Sequence, residues 1–149
     1  MQLTLEADYA VRIISVLCIE NGRADAKTIS EKAFVSLRFA LKILRKLVAA
    51  DLVESFKGTQ GGYVLRKKPN DINLRQDIEA IEGTYYFSRC LSPDGICNRS
   101  MSGVCCYQRA FAEVTDLVRD KLEGYNFADL IASQDGLEPM EKSELLRTE

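Results

Sequence analysis

Apolar residues in the first half of the chain recur at helical spacing. Between residues 8 and 20, Tyr9, Ile13, Val16 and Leu17 fall on one side of a helix, with Asp8 near its amino end. Asn21-Gly22 marks its stop. Asp25 stands where it can cap a second, short helix to about residue 33, with Ile29 and Ala33 facing inward. Ser36 does the same for a third, to about Ala50. In that third helix Leu37, Leu41, Leu44 and Val48 follow at steps of four, three and four, which predicts a stripe turned to the core. Arg38, Lys42 and Arg45 repeat the first two steps on another face, at the spacing needed to run along a groove.

The period then changes. Residues 52–56 and 63–65 read as two short strands around Lys57-Gly58-Thr59-Gln60-Gly61-Gly62, whose glycines permit a tight turn and close backbone approach. Helical spacing resumes through Leu74, Ile78 and Ile81 and closes at Gly83. Residues 85–103, rich in Ser, Gly, Asn and Cys, predict a long loop. Phe111, Val114, Leu117, Val118 and Leu122 then predict a helix from about residue 104 to 122, with one or two further turns over residues 126–133 and a polar, frayed tail from Gly136.

Two helices joined by a short turn and followed by a hairpin predict a mainly α fold with a small β-wing. This is a winged helix-turn-helix over residues 1–83. A cysteine-bearing sensor loop (84–106), a long dimerisation helix with a terminal helix (107–134) and a flexible tail (135–149) complete the expected organisation. The long helix has more apolar face than its own domain can cover, and a second subunit would cover it. The cation row also fits a solvated helix face, and the turn fits an ordinary hairpin. Only in combination do they favour DNA, with the helix in the major groove and the wing on phosphates or the minor groove.

Charge strengthens that combination. Net charge over 149 residues is only −2, yet eight basic residues stand against two acidic ones between Arg38 and Lys68. At 46% apolar residues the chain can bury a core. No apolar run approaches the roughly 20 residues of a membrane span. Met1-Gln2-Leu3-Thr4 lacks the basic-then-apolar pattern of a secretory signal, so the expected location is the cytoplasm.

There are five cysteines, Cys18, Cys90, Cys97, Cys105 and Cys106, and no histidine. Cys18 beside Leu17 and Ile19 reads as a small core residue. The other four are clustered, which in a reducing compartment favours metal or redox chemistry. Six residues separate Cys90 from Cys97 and seven separate Cys97 from Cys105. That spacing is looser than the tight turns of zinc sites and suits a wider iron–sulfur cluster, with a fourth ligand from elsewhere. Free thiols or a disulfide-switching pair fit the same spacing. Without histidine, a nucleophile elbow, a phosphate-binding glycine motif or a defensible carboxylate pair, the sequence argues against an enzyme.

Several strings together resemble the Rrf2 family of bacterial regulators, whose members include IscR-, NsrR-, RirA- and CymR-like proteins. They are Leu3-Thr4, Tyr9-Ala10, Leu52-Val53-Glu54-Ser55, Gly58-Thr59-Gln60-Gly61-Gly62-Tyr63-Val64-Leu65, Ile81-Glu82-Gly83 and the three spaced cysteines. The resemblance covers about residues 1–133 and implies a homodimeric DNA-binding regulator, usually a repressor, that senses iron–sulfur, redox or nitric oxide status. It implies DNA contacts by Ser36, Arg38, Phe39, Lys42 and Arg45 on the third helix, and by Lys57, Thr59, Gln60 and Gly61 on the wing. It also implies cluster ligation by Cys90, Cys97 and Cys105, with Cys106 as the alternative to Cys105. In IscR-like members a histidine after the third cysteine completes the site, and Gln108 stands there. In NsrR-like members an aspartate of the partner does so, and Asp8 matches it, which favours a 4Fe–4S over a 2Fe–2S cluster. The alternatives are a regulator of the same fold using thiol oxidation or a small effector, and a protein-interaction adaptor that reuses the winged fold.

Overall fold

The computed structural model describes residues 3–134 together with residues 136 and 137. The elements run α1 (Leu5–Glu20), α2 (Ala26–Ala33), α3 (Leu37–Ala49), β1 (Val53–Phe56), β2 (Gly62–Leu65), α4 (Leu74–Glu82), α5 (Cys106–Glu123) and α6 (Phe127–Gln134). Short 3-10 turns occupy Pro69–Asp71 and Arg89–Leu91. The mainly α winged fold expected from the sequence is the one observed. Apart from Gly136 and Leu137, the expected polar tail lies outside the described residues.

Caps set the helix starts. Asp25 Oδ1 accepts from the backbone N–H groups of Lys27 and Thr28 at 2.9 and 3.0 Å. Those bonds, led by Thr28, hold its carboxyl below the usual range. Ser36 Oγ accepts from Phe39 N at 3.4 Å. Asn73 and Gln76 form a reciprocal capping box at α4. The first helix begins three residues earlier than its apolar spacing suggests, because Thr4 caps it. Thr4 Oγ1 accepts from Ala7 N at 3.2 Å and donates to Glu82 Oε1 at 2.7 Å, joining the start of α1 to the end of α4. Asn21, at φ 46°, ends α1 in the left-handed conformation.

The core gathers Ile13, Ile14 and Leu17 of α1, Ile29 of α2, Ile43, Leu44 and Leu47 of α3, then Val53, Ile72 and Phe127. One expectation is corrected. The inward face of α3 is Ala40, Ile43, Leu44 and Leu47, while Leu37 is 46% exposed and Leu41 only half-buried. Steps of three, four and seven from Ala40 centre the buried face there. Alanine carries so little apolar signal that the leucine series pulls the apparent stripe toward solvent.

After α5 the chain returns to this core. Phe127 N donates to Ile72 O at 3.0 Å and Leu74 N to Tyr125 O at 3.0 Å, so α6 docks where α4 begins and its Phe127 is only 1% exposed. Asp77 on α4 is also fully buried, and neither of its carboxylate oxygens has a hydrogen-bond partner. Burial pushes its pKa up to about 8, so the carboxyl is mostly protonated at neutral pH. Among the described residues no helix is long and apolar enough to cross a membrane.

Candidate nucleic-acid interface and cysteine loop

The outward face of α3 carries Leu37, Arg38, Phe39, Leu41, Lys42 and Arg45 along one shallow groove. Arg38 and Arg45 are exposed and have no ion-pair partner among the described residues. Lys42 differs, because its ammonium is paired with Glu6 of α1, whose other carboxylate oxygen takes Lys46 at 2.7 Å. Hydrogen bonds from Lys42, then Lys46, hold the Glu6 carboxyl below the usual range. A phosphate approaching Lys42 therefore competes with Glu6 in an exposed, easily exchanged pair. Phe39 is 41% exposed with its ring set edgewise against Tyr9, 5.9 Å between centroids. Ser36 is at once an exposed residue beside this face and the cap that starts it.

The wing is an antiparallel ladder from Val53 opposite Leu65 to Phe56 opposite Gly62. Its turn needs glycine for lack of room. A Cβ on Gly61 would lie 2.6 Å from Phe56 O, and one on Gly62, where φ is +144°, 2.7 Å from Ala24 O. Lys57, Thr59 and Gln60 are exposed at the tip and Gly61 is half-buried behind them.

Two residues that periodicity could not single out fix this hairpin to the turn before α2. The Arg23 guanidinium lies over the Phe56 ring at 3.8 Å and donates to Gln60 O at 2.8 Å. Ala24 exchanges backbone hydrogen bonds of 3.0 and 2.8 Å with Tyr63. The wing is thus braced from the side by an exposed guanidinium.

The cysteines occupy a different kind of structure. All five are free thiols. Cys18 packs against the core, and burial pushes its thiol up to about 11, which suits the structural role expected of it. Cys90 sits in the 3-10 turn with its Sγ 3.3 Å from Ser88 Oγ. Cys97 lies in a turn where backbone N–H groups, led by Met101 and Arg99, hold its thiol below the ordinary range, helped by the Arg99 charge. Cys105 is the half-buried residue just before α5, and Cys106 is its exposed first residue.

This loop is fastened to α5 at a few points. Phe87 stacks on Phe111 at 5.5 Å and donates its N–H to Thr115 Oγ1 at 3.0 Å. Gln108 reaches back with both ends of its amide: Oε1 accepts from Gly103 N at 2.8 Å and Nε2 donates to Cys90 O at 3.2 Å. The residue standing where a histidine ligand would be is therefore a clasp across the loop. Asp8 lies in the first turn of α1 and pairs with Arg12 at 2.6 Å, both about half exposed. Among the described residues no three Cys, Asp or Glu side chains form a group able to hold a metal, so the thiols are not drawn together. The donor chemistry nonetheless fits an iron–sulfur cluster: three thiols within sixteen residues, one already disposed to ionise, and no histidine in the chain.

With the fold and these two regions described, comparison with known proteins is direct. Residues 3–133 match the Rrf2 family, described as iron-dependent transcriptional regulators. The chain belongs to the Rrf2 family. Relatives include the HTH-type transcriptional regulator ORF2 of Azotobacter vinelandii, 30% identical over 91% of this chain and 82% of that one. The HTH-type transcriptional regulator NsrR of Bacillus licheniformis is 27% identical over 91% of this chain and 95% of its own. Among solved structures, IscR of T. potens superposes with a TM-score of 0.71 at 20% identity, covering 97% and 96% of the two chains. The cysteine regulator CymR of B. subtilis gives 0.68 at 23%, covering 91% and 99%. The structural likeness establishes the fold. Family membership makes this Rrf2 protein a transcriptional regulator rather than an enzyme, and implies DNA binding.

Proposed function

We propose that two copies of this Rrf2 protein bind one duplex, each laying α3 in the major groove and its wing on the flanking backbone and minor groove. The observation that carries this reading is the exposed pair Arg38 and Arg45, free of ion-pair partners among the described residues while most other cations near them are engaged. Ser36, Phe39 and Lys42 complete the helix contacts, and Lys57, Thr59, Gln60 and Gly61 those of the wing. Support for the homodimer comes from α5 and the turn that leads into it, where Leu117 and Val104 are each 69% exposed and Tyr107 60%. Large apolar side chains left this exposed suit burial against a partner, and a two-fold pair matches paired half-sites.

Cys90, Cys97 and Cys105 are proposed to hold an iron–sulfur cluster, 4Fe–4S rather than 2Fe–2S, with Cys106 as the alternative to Cys105 and Asp8 of the partner subunit as fourth ligand. When bound, such a cluster supplies a redox-active centre whose oxygen ligand is held less firmly than its thiolates. The protein's own contribution is to present the thiols. Backbone N–H groups favour the Cys97 thiolate, Gln108 ties the Cys90 and Gly103 arms together, and Cys105 joins the loop to the dimer helix.

Salt-titrated fluorescence anisotropy tests the DNA half. Arg38→Ala should weaken specific binding more than non-specific binding, and equal losses would leave Arg38 a phosphate contact. Absence of salt-dependent binding to any duplex would favour the adaptor instead. Iron and sulfide counts with a visible spectrum on protein prepared without oxygen test the cluster, and a stoichiometry near zero after reconstitution removes it. In that case the acidified thiol of Cys97 favours thiol oxidation as the signal, read as selective modification of that residue.

A further inference from the structure

Within α3 the side chains are leucine, arginine, phenylalanine, alanine, lysine, isoleucine and valine only, so the helix carries no hydrogen-bond acceptor in any side chain from Leu37 to Ala49. That restricts which bases it can read. In the major groove guanine offers two acceptors, and thymine offers one acceptor and its 5-methyl group. Cytosine presents an amino donor, and adenine an amino donor beside N7. Opposite an amino group, a helix of donors and hydrocarbon sets N–H against N–H or leaves the donor dry.

Existing partners, more than exposure, decide which residues do the reading. Lys42 is engaged by Glu6, and Phe39 by Tyr9. Without such a partner along the outward groove are Arg38 and Arg45 with, between and beside them, Leu37, 46% exposed, and the half-buried Leu41. Those leucines would be wasted on solvent if the face met only phosphate. They lie one turn apart, about 6 Å along the axis, close to two base-pair steps of roughly 3.4 Å.

We propose that the side chains of α3 from Leu37 onward read keto bases alone, guanine through Arg38 and Arg45 and the thymine 5-methyl group through Leu37 and Leu41, with the capping Ser36, whose Oγ is held by Phe39 N, left to the DNA backbone. The proposal rests on the DNA-binding reading above and adds the bases to it. It makes Leu37 and Leu41 specificity-determining residues, and it limits the sequence information the helix can extract from the strand facing it.

The test uses the full-length protein and duplexes it selects from a random-sequence library. A selected duplex is remade with deoxyuridine for thymidine, which keeps every base pair and phosphate and removes only the methyl groups. Affinity should fall about fourfold for each contacted methyl, with the salt dependence unchanged. Leu37→Ala, an exposed change that leaves the core alone, should weaken binding to the thymine duplex by a similar factor and leave binding to the uracil duplex as it was. Replacing guanine by 7-deazaguanine should cost roughly fivefold or more at a guanine read by Arg38 or Arg45. Equal affinity for thymine and uracil duplexes, or indifference to 7-deazaguanine at every guanine, overturns the proposal while DNA binding stands. Failure to enrich any duplex overturns the DNA-binding reading, and the proposal with it.

Discussion

The winged half of the molecule and the cysteine loop are held by different forces. Helices α1 to α4 each start at a side-chain cap, from Thr4, Asp25, Ser36 and Asn73, and they enclose a core of residues with almost no exposure. Between residues 84 and 105 no residue is fully buried, and α5 starts at Cys105 without a side-chain cap. Hydrogen bonds with Thr115 and Gln108, and one ring stack, tie this loop to α5. Burial gives the first region a single geometry, whereas a few partly exposed bonds hold the second, which can therefore open locally without unfolding the first.

The largest effect expected from breaking this contrast lies at Phe127, the α6 ring inside the winged core. Phe127→Ala should cost about 3–5 kcal/mol in urea unfolding. A loss below about 1 kcal/mol would mean that α6 is no part of the reader, and the boundary between the regions would have to be redrawn.

Asp77 comes next, because it makes the reader's stability depend on pH. Its folded carboxyl titrates near pH 8, against an ordinary value of 3.8. Between those pH values the folded state keeps a proton that the unfolded chain releases. Stability therefore falls as pH rises through this window, by at most about 1.4 kcal/mol per unit, and levels off above it. Asp77→Asn, which cannot ionise, should flatten the slope. Urea midpoints at pH 5, 6 and 7 that fall equally in both proteins would assign the slope to other groups.

Arg23→Ala should act on the wing alone. It removes one hydrogen bond and a cation–π contact, about 1 kcal/mol in total. We expect faster amide exchange at Gly61 and several-fold weaker duplex binding with little change in Tm. A drop in Tm without loss of DNA affinity would make Arg23 a core brace instead.

Much of the reader was legible beforehand because its signals are local. Asp25 and Ser36 announce helices from their own positions, Asn21-Gly22 and Gly83 stop them, and the glycines at 61 and 62 mark a turn that admits no Cβ. What escaped was non-local or chemically faint. Lys42 meets Glu6 across thirty-six residues, Arg23 braces a hairpin through a carbonyl, and Ala40 conceals the true face of α3. A buried, unpartnered Asp77 contradicts every pattern rule, and only the packed fold reveals it. In the loop, irregularity and cysteine clustering could be read directly, but the clasp formed by Gln108 depends on where α5 begins.

Gln108 is where the contrast can be sharpened most finely. Its amide hydrogen-bonds to both arms of the loop, through Gly103 N and Cys90 O. Gln108→Ala removes both bonds, each contributing roughly 1 kcal/mol, so exchange at the Gly103 amide should speed up about five- to thirty-fold. Because the loop buries no core, the global unfolding free energy in urea should change by less than about 0.5 kcal/mol. Gln108→Glu keeps an acceptor for Gly103 and loses the donor for Cys90, so the two arms should separate in behaviour: Gly103 stays protected while alkylation of Cys90 accelerates. If loop exchange and global unfolding instead move together in both variants, the loop belongs to the same cooperative unit as the winged core. A thiol signal would then have to destabilise the whole protein to be felt at α3.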